Sequence, residues 1–247
     1  MHYTKAFTMA EVLITLGVIG IVVAMTIPQL VKNYQLHVLQ NQLKAVYSDL
    51  NRASQLFKLH NDFSVSEYAY LNGSDKALEL FKKEFKTIKK DNAKWDNVNE
   101  NGRVYPYKLY SLSGVGNTWI CDSAGPFFDM QGRVFSFDDA PDMNENGPKV
   151  CVDINGVKNP NKYGIDNFIF MFTVDGQVIP FGMEHKNNPS SEGNLYNNTY
   201  IDNPSDYCKY NVNSVYQVVA CAYFALSDTH PEGNGKSYWR DFIGKVK

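Results

Sequence analysis

The sequence has no excess of either charge: 24 Lys and Arg stand against 26 Asp and Glu, a net charge of −2 over 247 residues. That balance lacks the basic footprint through which counterion release drives nucleic-acid binding, so no nucleic-acid partner is expected. There is no Cys-x-x-Cys and no histidine pattern near the cysteines, which argues against a zinc site. The five histidines (His2, His37, His60, His185, His230) form no His-Glu-x-x-His, and neither a Gly-x-Ser-x-Gly nor a phosphate loop occurs. Glu184-His185 is an isolated acid–imidazole pair in a polar stretch and reads as surface. The chain is therefore not expected to be an enzyme. It also lacks internal repeats and low-complexity linkers, so the part outside any membrane segment reads as one domain.

The four cysteines, Cys121, Cys151, Cys208 and Cys221, are an even and widely spaced set, which suits disulfides and an oxidising compartment. Four cysteines allow three pairings; local pairing, Cys121 with Cys151 and Cys208 with Cys221, is the expectation. The longest apolar run is 12–27 (VLITLGVIGIVVAMTI), and 7–10 extends it towards spanning length. A cleaved signal peptide and a plain signal anchor would both supply such a run. Glu11 distinguishes this one, because a carboxylate inside an apolar segment costs about 2.5 to 3.5 kcal/mol on insertion scales and marks a functional site by default.

Lys5-Ala6 followed by Phe7-Thr8-Met9-Ala10-Glu11-Val12-Leu13-Ile14 resembles the type IV pilins and type II secretion pseudopilins. Their prepilins carry a polar leader, a small residue, Phe-Thr, a Glu four residues after the Phe, and an apolar helix. Ala6 stands where the family usually has Gly. The resemblance covers about the first thirty residues. It implies cleavage by a prepilin peptidase between Ala6 and Phe7 and N-methylation of Phe7. It also implies a helix whose Glu11 pairs with the free N-terminal amine of a neighbouring subunit, since a buried charge needs a partner. The implied partners are other pilin or pseudopilin subunits, the peptidase, an inner-membrane assembly platform and membrane lipid. The implied location is a single pass through a bacterial inner membrane, leader in the cytoplasm and globular domain in the periplasm, before assembly into a filament. The implied organisation is a leader at 1–6, a membrane and assembly helix at 7–31, and a globular domain at 32–247 that includes an amphipathic helix at 32–60.

Within that frame Pro28, a position where the family commonly has proline, is expected to end or kink the first helix. Gly17 and Gly20 either soften the helix or allow close helix approach. Leu39, Leu43, Val46, Leu50, Ala53 and Phe57 recur at spacings of four and three, which predicts a resumed amphipathic helix lying on a sheet, with a free coiled coil as the alternative. A shorter helix is expected from Ser74 as N-cap through Leu78, Phe81, Phe85 and Ile88, with Lys82, Lys83, Lys86, Lys89 and Lys90 as its solvated face. Strands are expected at 118–121, at 126–130 and 133–137 joined by Gln131-Gly132, and at 168–174 and 177–181 around Asp175-Gly176. The apolar run 215–226 reads as a late strand. The fold class expected is α+β and pilin-like, a long N-terminal helix on an antiparallel sheet.

Two polar segments remain. Asp142, Asn144, Asn146 and Gly147, with Asp153 at the twelfth position, match the spacing of a calcium loop without the flanking helices of an EF-hand. Calcium is the ion such a loop would take, although no cofactor is required and Asp, Asn and Gly also make turns unaided. The segment from Val152-Asp153-Ile154-Asn155-Gly156 through Pro160-Asn161 to Gly164-Ile165-Asp166-Asn167-Phe168 resembles a stretch found in pilin-like proteins ahead of a strand hairpin. Three functions stay open at this level: a filament or pseudopilus subunit, a minor tip subunit that binds a surface or secreted substrate, and a secreted lectin or hydrolase on a simple anchor. The 16 Tyr, 15 Phe and 3 Trp would mostly build a core, with some free for a binding face.

Overall fold

The computed structural model describes residues 7–85, 87–88, 97–98, 104–116, 118–188, 201 and 203–245. The leader 1–6, with Ala6, lies outside them, as do Lys86, Lys89 and Lys90. The chain is α+β. Helix α1 (Met9–Asn61) runs 53 residues without interruption, about 80 Å at 1.5 Å per residue. Pro28 lies inside it without ending it, so of the two expected outcomes the ending of the helix does not occur. A proline removes one ladder bond, and the long helical flanks on both sides carry the element across that loss.

The predicted stripe is the buried face of α1: Leu43, Val46, Leu50, Ala53 and Phe57 are sealed, with Leu39 partly so. They lie on a sheet, so the coiled-coil alternative falls. Polar bonds fix the helix to that sheet as well. Ser54 Oγ and Gln55 Nε2 donate to the carbonyl of Gly176 at 2.9 and 2.7 Å, and Val178 N donates to Asn51 Oδ1 at 3.0 Å. Gly176 has φ +89°, so the turn favours glycine for its conformation, and the Lys58 side chain lies over it, 2.9 Å from where a Cβ would stand.

The sheet has six antiparallel strands in the order β1 (Thr87–Ile88), β4 (Ala124–Asp129), β5 (Val134–Phe137), β6 (Lys149–Asp153), β7 (Asn167–Phe172) and β8 (Val178–Pro180); β2 (Asn97–Val98) and β3 (Val104–Tyr105) form a separate pair. From β4 onward it is a meander, each strand pairing with the next. Both expected hairpins are present. Strands β5, β6, β7 and β8 are buried at every position: on one face Phe168, Phe170 and Phe172 of β7 pack on Trp239, on Tyr47 of α1 and on Phe81 of α3, and on the other Cys151 of β6 is bonded to Cys121. Phe57, Phe81, Phe137 and Phe172 meet at the centre with ring centroids 5.0 to 6.4 Å apart.

Several elements differ from the sequence expectation. Helix α2 (Val65–Asn72) was not expected; Ser64 caps it, with Ser64 N donating to Glu67 Oε2 at 2.8 Å and Glu67 N to Ser64 Oγ at 3.1 Å. Helix α3 (Ser74–Phe81) begins after Gly73 rather than on a Ser74 cap and ends at Phe81, leaving Phe85 beyond a 3₁₀ turn and Ile88 in β1. Residues 118–121 are irregular rather than a strand. Their polar backbone groups go to a side chain, with Ile120 N donating to the Tyr163 hydroxyl at 2.9 Å and that hydroxyl donating to Thr118 O at 3.3 Å. The run 215–226 is a 3₁₀ turn (Val215–Val218) followed by α4 (Cys221–Ser227). A short continuous apolar run does not separate buried helix from buried strand.

Candidate functional site: the N-terminal helix

The first turn of α1 is built by the residues that carry the prepilin resemblance. Thr8 is the N-cap. Glu11 N donates to Thr8 Oγ1 at 3.2 Å, while Thr8 N and Thr8 Oγ1 both donate to Glu11 Oε2 at 2.8 Å. This is a capping box, in which two groups orphaned at a helix start satisfy each other. Glu11 thus has a role within its own chain, and its negative charge also lies at the positive end of the helix dipole. Phe7, just outside the helix, is 84% exposed.

From Val12 to Val31 the helix is exposed all round, and its large apolar side chains touch no other part of the fold. This is one helix long and apolar enough to cross a membrane; residues 9–31 span about 35 Å against a hydrocarbon core of about 30 Å. Its hydroxyls are satisfied locally, Thr15 Oγ1 donating to Val12 O and Thr26 Oγ1 to Val22 O, each at 2.9 Å, as a segment in lipid requires. Gly17 and Gly20 have open space where a Cβ would stand. The first buried side chain is Leu43, so the change from exposed to buried helix falls between residues 31 and 43.

Both expected disulfides are present, Cys121–Cys151 and Cys208–Cys221. The first ties the irregular 118–121 stretch to β6; the second ties the start of α4 to the preceding loop. Closing loops of 30 and 13 residues stabilises by about 4 and about 3 kcal/mol in the chain-entropy model.

The expected calcium loop is not what the chain builds from its four residues. Asp142 and Asn144 are exposed on a turn closed by Glu145 N donating to Asp142 O, with Asn144 at φ +65°. Asn146 is fully buried and committed. Its Oδ1 accepts from Val174 N at 2.9 Å and its Nδ2 donates to Lys186 O and Asn188 Oδ1, both at 2.8 Å. Asp153 ends β6 and is fully buried among a different set of side chains, those of Tyr107, Asp166, Asn155 and Asn167. The turn reading of 142–147 holds because a strand begins at Lys149, too early for a twelve-residue ligand loop. Comparison with family models, curated proteins and solved structures finds no match for this chain. The fold and site define an α+β domain, stapled by two disulfides and carried on a membrane-capable N-terminal helix.

Proposed function

We propose that this chain is a pilin-like structural subunit of a type IV pilus or type II secretion pseudopilus. A prepilin peptidase cuts between Ala6 and Phe7, Phe7 is N-methylated, and the mature subunit leaves the inner membrane to assemble through α1, its globular domain on the periplasmic side. The observation that carries this reading is a single helix with two regimes. Its first part is exposed, apolar and headed by Phe7 and Glu11; its second part is sealed onto the sheet. A helix exposed all round over this length must be covered by lipid or by other helices, and a carboxylate at its head gains most from a bundle that offers a cation. The two disulfides support an oxidising compartment for the globular part.

The test is intact mass and N-terminal analysis of the protein from membranes of its own host, with and without the prepilin peptidase. A chain starting at N-methylated Phe7, dependent on the peptidase, is the expected result. A chain starting beyond Thr26, or one that keeps Met1 in peptidase-positive cells, would overturn the proposal in favour of a cleaved or simply anchored domain.

A further inference from the structure

The connection from β6 to β7 encloses a set of buried oxygens that the assembly helix does not use. Asp153 and Asp166 are both fully buried, and each carboxyl is held by its own loop. Asp166 Oδ2 accepts from Asn161 N at 2.8 Å and Asn155 Nδ2 at 3.3 Å, and its Oδ1 accepts from Lys162 N at 2.7 Å. Asp153 Oδ1 accepts from Asn155 N at 3.2 Å, and Asp153 stands directly opposite Asn167 across β6 and β7. Three amide oxygens here, Asn155 Oδ1, Asn161 Oδ1 and Asn167 Oδ1, have no hydrogen-bond partner among the described residues, and Asp153 Oδ2 has only the buried Tyr107 hydroxyl facing it. Asn155 and Asn161 already use their Nδ2 groups as donors, to Asp166 and Asn159, so it is their carbonyl oxygens that are left over.

Charge balance makes this arrangement incomplete. The ammonium groups of Lys162 in this connection and of Lys149 on β6 are engaged elsewhere, Lys162 Nζ with Leu112 O at 3.1 Å and Lys149 Nζ with Asp138 at 2.5 Å. Unpaired buried charge costs several kcal/mol unless something neutralises it. The loop itself is held rigid. Gly156 at φ +72° abuts the carbonyl of Gly132, which a Cβ would meet at 2.2 Å, and Ile154 N donates to Asp166 O at 2.8 Å.

We propose that Asp153, Asn155, Asn161, Asp166 and Asn167 form a binding site for one calcium ion. Two carboxylates and three amide carbonyls are a hard, all-oxygen donor set with charge −2, matched to Ca²⁺ and its tolerance of irregular coordination; Mg²⁺ demands a stricter octahedron and retains its waters. No three His, Cys, Asp or Glu side chains converge among the described residues, so neither zinc nor a carboxylate-only cage suits this chemistry. The ion would lock the β6–β7 connection, which also receives Tyr110 N at Asn161 O and the Tyr238 hydroxyl at Gly164 O. The site is thus placed to rigidify the 110–120 stretch and the C-terminal turn together.

The experiment uses the full chain in detergent, stripped with EGTA and then titrated with Ca²⁺ or Mg²⁺, reading metal content by mass spectrometry and thermal unfolding by tryptophan fluorescence. About one calcium per chain is expected, with a Tm rise of about 5 to 10 °C at roughly a hundred times the dissociation constant and little response to Mg²⁺. Asp153→Asn and Asp166→Asn should each abolish calcium retention while raising Tm in chelator, since each removes a buried repulsion. A parent chain that binds no calcium and melts unchanged overturns the proposal without recourse to any variant, and leaves the pair sharing a proton or a water. Variants that keep the ion overturn it equally. Neither outcome bears on cleavage at Phe7.

Discussion

Replacing Arg133 should be the most damaging single change at the surface between α1 and the sheet. Its side chain is 5% exposed, with Nε donating to Asp129 Oδ2 at 2.6 Å and Nη1 to Asp49 Oδ2 at 2.9 Å. Asp129, 4% exposed, also accepts from Gln131 N and Arg133 N at 3.0 Å each, which shapes the β4–β5 turn. In Arg133→Met the apolar stem still packs, but Asp129 becomes a buried charge without its counter-ion, and that class of loss costs about 3 to 5 kcal/mol. Asp49 is 25% exposed and retains Arg52, so Asp49→Asn should cost about 1 kcal/mol or less. Urea unfolding of the full chain in mild detergent reads this directly, because Trp119 and Trp239 are buried in the fold. The reasoning fails if Arg133→Met lies within about 1 kcal/mol of the parent, or if Asp49→Asn is as damaging as Arg133→Met.

Three further outcomes follow from the packing and electrostatics. Phe81, in contact with Phe57, Phe137 and Phe172 and fully buried, should lose about 3 to 5 kcal/mol on change to Ala, with an unaltered urea slope if the native state stays compact. Removing Cys208 and Cys221 together by serine should lower stability by about 3 kcal/mol; a Tm unchanged from the parent under non-reducing conditions would refute the staple. Burial pushes the Asp138 carboxyl up to about 6 despite the Lys149 ammonium beside it. Because the folded value exceeds the ordinary 3.8, its contribution to stability is complete below about pH 4 and is lost as pH rises through about 6, roughly 3 kcal/mol in all. Asp138→Asn should remove that slope, and identical pH–stability curves for the two chains would contradict it.

What could be read from the sequence follows from what each signal is made of. The long helix and its buried stripe rest on periodicity over many turns, and the two hairpins rest on Gly at the turns, where local chemistry decides the backbone. Helix α2 carried the same kind of signal as α1: Ser64-Val65-Ser66-Glu67 is a capping box like Thr8-Met9-Ala10-Glu11. Strand β6 was hidden because its ends are Lys149 and Asp153, polar residues that become buried only when Asp138 and the β6–β7 loop supply partners. The ligand spacing from Asp142 to Asp153 therefore looked like one loop, although its last member points into another. The set around Asp153 and Asp166 depends on the register that puts Asp153 opposite Asn167, and no one-dimensional spacing contains that. The local disulfide pairing agreed with the sequence because strand β6 carries Cys151 back to the stretch holding Cys121.

Glu11 brings the membrane and assembly arguments into opposition, and Glu11→Val separates them. Within α1 the carboxylate already holds the Thr8 amide and hydroxyl, so its removal loses a capping box worth about 1 kcal/mol at the helix start. Insertion into lipid should improve, by up to the roughly 2.5 to 3.5 kcal/mol that a carboxylate costs at a bilayer centre and less near the interface. A chain whose helix serves only as an anchor would therefore be at least as abundant in membranes after the change. If α1 assembles as proposed, the new amine at Phe7 of one subunit instead loses the acid it meets on its neighbour, and a desolvated charge left unpaired costs about 3 to 5 kcal/mol per contact, more than a hundredfold in association. The expected result is unchanged or raised membrane content, intact cleavage before Phe7, and loss of filaments or of cross-linking between α1 helices. Filaments at parental levels from Glu11→Val would show that the carboxylate serves the cap alone.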